Sequence, residues 1–365
     1  MFSNAQNTNQ PAANPLKDLA FPQGPSDSIS NIEFSPKADL LVGSSWDNTV
    51  RCWNVDRSAG ISMLGQQSHD GPVLDCAWHP DGSKVFTGSA DKTAKIWDLQ
   101  ANQSMAVAQH DGPIKSVKWI QAPGYQCLMT GSWDKTLKFW DTRSPQPVLS
   151  FQLPERCYGA DVVYPLAVVI TAGHGVHCYQ LGNQPSYVKA VSTILSHQLR
   201  CVAICCDKTN GNPIGMALGC IEGRVAIEYP DSGQQKTIGV SGKPENTTFQ
   251  FKCHRQTEAN SSVQDIYAVH CIKFHPVHRG LFATCGADGM FNYWDKDARV
   301  KLTQSVTQRQ PSPVTAGCFN ARGDFFAYAT GYDWSKGHAH TSQNGYNVYL
   351  RQCDIQPSSS NKGRK

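Results

Sequence analysis

The sequence predicts an all-β fold, a closed seven-bladed ring of four-stranded sheets, and three observations predict it. A short phrase recurs: Trp46-Asp47-Asn48-Thr49, Ala90-Asp91-Lys92-Thr93 and Trp133-Asp134-Lys135-Thr136 set their aspartates 44 and 43 residues apart. Six residues after each Asp comes Trp53, Trp97 or Trp140. The flanking segments, such as Lys84–Ser89 and Thr93–Trp97, alternate their side chains as strands do. Strand openings also end alike, in Phe34-Ser35-Pro36, Trp78-His79-Pro80, Phe274-His275-Pro276 and Phe319-Asn320-Ala321. A strand-patterned unit with this period is one blade of a β-propeller.

Units of roughly 40–45 residues that close on Trp-Asp are similar to WD repeats. Their Asp-Lys or Asp-Gly pair makes a tight hairpin turn between two strands. In order, the first three blades are those of Trp53, Trp97 and Trp140. The fourth centres on Gly173–Tyr179 and the fifth on Glu222–Glu228, which has a Gly turn and no Trp. The sixth is clear in Ala287-Asp288-Gly289 and Trp294-Asp295. The seventh has strands at Val314–Phe319, Phe325–Ala329 and Tyr346–Arg351 and then runs out, so its fourth must come from elsewhere. Lys17–Phe21 is the expected donor, closing the ring without a covalent bond and covering a sheet edge. The resemblance also implies a buried relay of His, strand hydroxyl, turn Asp and Trp. His69 with Asp91 and Trp97, and His110 with Asp134 and Trp140, match it. Recurrence in successive blades argues against reading these sets as hydrolase sites.

Composition fits one repeat domain. The chain has 365 residues, 40% of them apolar, and a net charge of +4. Residues 1–16 read as a disordered tail rich in Asn, Gln, Ala and Pro, 17–355 as the propeller, and 356–365 as a basic disordered tail. Nothing reads as a signal peptide or membrane span; the longest aliphatic run is Leu166–Ile170. Sequons at Asn102, Asn246 and Asn260 carry no meaning without secretion. The 14 cysteines include no Cys-x-x-Cys pair, and several, such as Cys52, Cys76 and Cys271, take inward strand positions. They read as reduced core residues. Cys253, His254, Cys271, His275 and His278 form a loose cluster whose spacing does not suit zinc. Gly242-Lys243 lacks the first glycine of a Walker loop. Neither an enzyme, a metal nor a cofactor is expected.

Stretches that the repeat does not demand carry a closer resemblance. Leu153–Tyr158, Phe251-Lys252-Cys253-His254-Arg255, Trp294-Asp295-Lys296-Asp297-Ala298-Arg299 and Tyr332-Asp333-Trp334-Ser335-Lys336-Gly337-His338 resemble the nuclear-pore mRNA export factor family. With Gly131–Asp141 they extend the likeness from about Lys17 to Arg351. The resemblance implies an adaptor that binds the GLEBS segment of an FG-repeat nucleoporin at the nuclear envelope. It implies a role in poly(A) mRNA export, shuttling to the cytoplasm, and a part in mitotic spindle assembly. It also implies a monomeric propeller within a heteromeric complex, which viral matrix proteins and mitotic factors can engage. It places the partner surface on Phe251, Lys252, Arg255, Trp294, Asp295, Lys296 and Arg299, to which Lys301 adds a further cation close to Trp294. Direct RNA contact would use Arg224, Lys252 and Arg255, mostly on phosphates. Two alternatives stand beside it. A spindle-checkpoint adaptor shares the Phe-Lys-Cys-His-Arg stretch, and a ubiquitin-ligase substrate receptor is suggested by Trp140-Asp141-Thr142-Arg143.

Overall fold

A computed structural model describes residues 16, 18–230, 247–257, 262–306, 308–340 and 345–358. The expectations for Lys17, Asn246, Asn260, Gly242-Lys243 and most of both tails lie outside them. Seven antiparallel four-stranded sheets are arranged as a ring, and a two-stranded hairpin, Arg255–Thr257 with Gln264–Ile266, joins blades 5 and 6.

The inner strands of blades 1 to 7 are Ile29–Phe34, Val73–Trp78, Ile114–Gln121, Cys157–Val163, Leu199–Cys206, Val269–Phe274 and Val314–Phe319. Each pairs outward through two more strands to an edge strand. The turn between the second and third strands is set by local chemistry. Asp91 Oδ1 accepts from the Thr93 amide at 2.9 Å and the Thr93 hydroxyl at 2.7 Å. The residue after the turn Asp takes the left-handed region in Lys92 and Lys135, with φ of 74° and 66°. Glycine holds the same place in blades 5 and 6 at lower steric cost. Between blades, a small residue on the second strand lets the next sheet approach. A Cβ on Gly88 would sit 2.8 Å from Ile114 and Val117.

The ring closes as its missing strand requires. Leu19–Ala20 pairs antiparallel with Asn347–Gln352, Leu19 opposite Leu350 and Ala20 opposite Tyr349. The Phe21 amide extends the ladder to the Val348 carbonyl at 2.9 Å. Phe21 is buried and meets Trp53 edge-on at 5.5 Å, tying the strand to blade 1 as well. Across the seam, Asn320 donates to Asp39 at 3.0 Å, and Arg57 and Arg322 pair with Asp324 and Asp39.

The ordered fold extends slightly past both expected boundaries. Leu16 packs against the core between blades 6 and 7, and the Ser358 amide donates to Asp295 at 3.0 Å. Twelve of the fourteen thiols are buried, with Cys201 and Cys206 half-buried, and burial pushes the Cys52 thiol up to about 12. No helix among the described residues is long and apolar enough to cross a membrane.

Candidate partner-binding surfaces

All seven inner strands break register at the same place, between their first and third residues. A β-bulge leaves one residue unpaired and re-aims its side chain. The bulged residues are Ser30, Leu74, Lys115, Tyr158, Arg200, His270 and Thr315, and all seven line one cavity at the channel mouth. The cavity holds about 570 Å³. Trp46, Trp133 and Trp334, from second-to-third-strand turns, also line it, Trp46 and Trp334 being 42% and 47% exposed.

The mouth is polarised. Lys115, Tyr158 and Arg200 come from three successive blades, and Arg156 stands 5.9 Å over the Tyr158 ring. The Lys115 ammonium donates to the Leu74 carbonyl at 3.5 Å, and burial draws its pKa down against the attraction of Asp75. Asp333, the carboxylate lining the cavity, is already engaged: its Oδ2 takes the His270 Nε2 at 3.0 Å and its Oδ1 accepts the Ser335 amide at 3.1 Å. Two lining groups have buried polar atoms without a partner, Trp133 Nε1 and Thr315 Oγ1. Such orphans cost free energy unless a ligand satisfies them. An apolar floor, a set of cations only partly offset by Glu155 beside Arg156 and Asp75 near Lys115, an orphan donor and an orphan hydroxyl together suit an extended peptide with acidic character. Sequence reasoning missed this site. Its signal was the second residue of each inner strand, after an opening Val or Ile in five blades and Cys157 or Leu199 in the other two, with the Trp that replaces Ala90 at the turn in blades 1 and 3.

The surface expected from sequence is a shelf on the flank of blades 5 and 6. Phe251 and Trp294 are half-buried with centroids 4.5 Å apart, and the Arg299 guanidinium lies 4.3 Å over Phe249. Lys301 is exposed and pairs in register with Trp294. Arg299, expected to be exposed, is half-buried, with φ of 58°. Two further members are elsewhere. Lys296 is buried, with its Nζ 2.5 Å from Asp297 and 5.6 Å over the Tyr229 ring, because the turn folds it inward. Asp295 is buried and caps that turn, accepting the amides of Asp297 and Ala298 at 3.0 and 2.9 Å.

The RNA candidates are only partly available. Arg255 donates to the Glu222 carbonyl at 2.7 Å, and Arg224 sits 3.3 Å from the Glu222 carboxylate. Lys252, opposite Arg224 on the edge strand, is exposed.

One relay is complete as expected. His110 bridges Asp134 at 2.8 Å and Thr130 at 2.7 Å, and Trp140 Nε1 donates to the same hydroxyl at 2.8 Å. In blade 2, His69 bridges Asp91 and Thr87 at 2.8 and 2.7 Å, but Trp97 is not in the relay. Its indole donates to Asn102 at 3.2 Å, since the Asn side chain reaches it first. A third relay was not foreseen. His254 bridges Asp288 at 2.8 Å and Thr284 at 2.9 Å, and Trp294 Nε1 donates to Thr284 at 2.9 Å. Thus His254 serves blade 6, and Trp294 belongs to both relay and shelf.

Comparison with known proteins follows the same lines. The model of the WD domain, G-beta repeat, matches residues 16–54, 62–98, 102–141 and 251–295. The mRNA export factor of Danio rerio is 53% identical over 354 residues, spanning 96% of this chain and 93% of that protein. That of Pongo abelii is 52% identical over 367 residues, spanning 99% and 95%. Among solved structures, U3-55K superposes with a TM-score of 0.70 at 16% identity, covering 93% of this chain and 100% of that one. RRP9 WD40 repeats give 0.70 at 16%, covering 93% and 99%. These two show the fold alone.

Proposed function

The chain belongs to the family of mRNA export factors, and from that premise we propose a non-catalytic adaptor that supports export of poly(A) mRNA at the nuclear pore. The proposed partner is the GLEBS segment of an FG-repeat nucleoporin, held across the channel mouth. The observation that carries this reading is the bulge-built cavity. It offers exposed Trp46 and Trp334, the cations Lys115, Arg156 and Arg200, and the unpartnered Trp133 Nε1. Sequence reasoning placed this segment on the shelf instead. The mouth suits it better, because the shelf aromatics are half-buried against one another and Lys296 is folded inward.

The shelf is then free for a second, anionic partner, and RNA fits its exposed Lys252 and Lys301. The ligase reading gains nothing from the Trp-Asp-x-Arg box, where Arg143 closes on Asp141 of its own turn at 2.9 and 2.6 Å.

Calorimetric titration of a synthetic nucleoporin GLEBS peptide tests the placement. Replacing Trp46 and Trp133 together by Ala removes two of the three indoles that line the site. The expected loss is about 2–4 kcal/mol, on the order of 30- to 1,000-fold in Kd. Reversing Arg299 and Lys301 to Glu should leave peptide affinity within a few fold. The opposite pattern would put the peptide on the shelf.

A further inference from the structure

One of the seven bulged side chains is bonded to neighbours on both sides. Arg200 Nη2, from blade 5, lies 3.3 Å from His270 Nδ1, and His270 Nε2 lies 3.0 Å from Asp333 Oδ2, in a blade 7 turn. Arg200 can only donate and ionised Asp333 can only accept. Both bonds form only if His270 is neutral, with its proton on Nε2 and a lone pair toward Arg200. His270 and Asp333 side chains are each 5% exposed. The chain therefore crosses three blades, from an exposed Arg200 to a His270–Asp333 pair largely shut from water.

Its far end matters to the mouth. Trp334 follows Asp333 directly, has φ of 61° and stays 47% exposed. A bulky residue in the left-handed region persists only where its surroundings hold it. Holding comes from both sides: Ser28 of the blade 1 approach donates to the Tyr332 carbonyl at 2.6 Å, and His270 fixes Asp333.

We propose that His270 is the positioning residue of the docking cavity, holding the Arg200 guanidinium over its floor and Trp334 at its rim through the Arg200–His270–Asp333 chain. The proposal rests on the reading of the mouth as the peptide site. It adds which residue sets that site's shape, and it makes the site sensitive to acid.

The groups facing His270 are Arg200, Asp333 and His254, while Lys115 lines the same cavity. Burial first, and Arg200 with it, lower the imidazole pKa against the pull of Asp333. Asp333 is held at about 2, where its bonds to His270 and Ser335 outweigh its own burial. The chain is thus intact at neutral pH and fails on acidification. Once His270 is charged, both ring nitrogens donate, and Nδ1 opposes Arg200 instead of accepting from it.

The test uses the full chain labelled with 5-fluorotryptophan, the Trp334 resonance being assigned with Trp334→Phe. His270→Leu removes both ring nitrogens, whereas His270→Gln keeps a donor and an acceptor. Amide exchange across 332–337 should quicken at least tenfold in His270→Leu and stay closer to wild type in His270→Gln. In wild type the Trp334 resonance should step at a pH below the ordinary imidazole range, and both variants should lack the step. GLEBS-peptide affinity should fall at least tenfold in His270→Leu and recover in part in His270→Gln. Unchanged exchange in a folded His270→Leu protein, or a step that survives in either variant, overturns the proposal. If His270→Leu does not fold, the decision passes to His270→Gln, and a Trp334 titration identical to wild type overturns it. If the chain behaves as proposed but replacing Trp46 and Trp133 leaves peptide affinity untouched, the docking reading fails and the positioning role stands.

Discussion

Removing residues 1–22 should destabilise the propeller by about 6 kcal/mol, while removing 1–14 should change little. The longer deletion takes away Leu19–Ala20, the outer strand of blade 7, and with it Phe21, which is 6% exposed. Losing a buried Phe costs about 3 kcal/mol at the low end of measured truncations. Hydrogen bonds go as well, among them Phe21 N to Val348 O at 2.9 Å, Trp53 Nε1 to Pro22 O at 2.8 Å, and Tyr328 to Asp18 at 2.9 Å. The Arg351–Asp18 pair at 3.2 Å is lost besides, so those three give a lower bound. At about 1 kcal/mol each they add roughly 3 more. The sum rivals the whole stability of an ordinary domain, which lies at about 5–15 kcal/mol. The bared edge Asn347–Gln352 would also invite association. Urea unfolding followed by tryptophan emission measures the difference, with light scattering as the second readout. Phe21→Ala in the intact chain should give about half the loss. Equal midpoints for both deletions would refute the reasoning, because closure would then rest on the direct contacts between blades 7 and 1, their shared apolar cluster and the Asp39–Arg322 and Arg57–Asp324 pairs.

Three further outcomes are expected. His110→Ala should cost about 2–4 kcal/mol, since it strands Asp134 and Thr130, and chemical unfolding measures it. Burial lowers the pKa of His69 and His110 below 6.5 despite their Asp partners, so the unfolded chain takes up these protons first. Stability should therefore fall as pH drops below 6.5, and less steeply in His110→Ala. Reversing Arg299 and Lys301 to Glu should lower affinity for a single-stranded RNA oligonucleotide and cut the slope of log K against log salt by about 1.4, at roughly 0.7 per lost phosphate contact, read by fluorescence anisotropy at several salt concentrations.

Much of the fold was legible because each blade is a local device. The turn Asp bonds a Thr two residues on, and in blades 1 to 4 and 6 the second, third and outer strands are joined by short connections. Their period therefore survives in sequence, and a count of strands was enough to require a donor, sought at Lys17–Phe21 and found at Leu19–Ala20. Of the shelf aromatics, Phe251 was legible as a residue the repeat did not need, whereas Trp294 is the repeat's own Trp. Less visible was the third relay. His254 lies 34 residues from Asp288, against 22 and 24 in the other two, because the Arg255–Ile266 hairpin intervenes.

What the amino-acid order determined by itself was the repeat, its turns, the blade count and the need for a borrowed strand, all set by hydrogen bonds near in sequence. What only the tertiary structure decided was which side chains meet. The indole of Trp97 chose Asn102 over the relay, Lys296 turned inward to Asp297, and His270 found Asp333 at a separation of 63 residues. The mouth belongs to this second kind. Its seven residues come from seven separate strands, one per blade, and a bulge aims each at the channel. Closing the ring brings those seven bulges around one axis, and no local pattern records which residues then face each other across it.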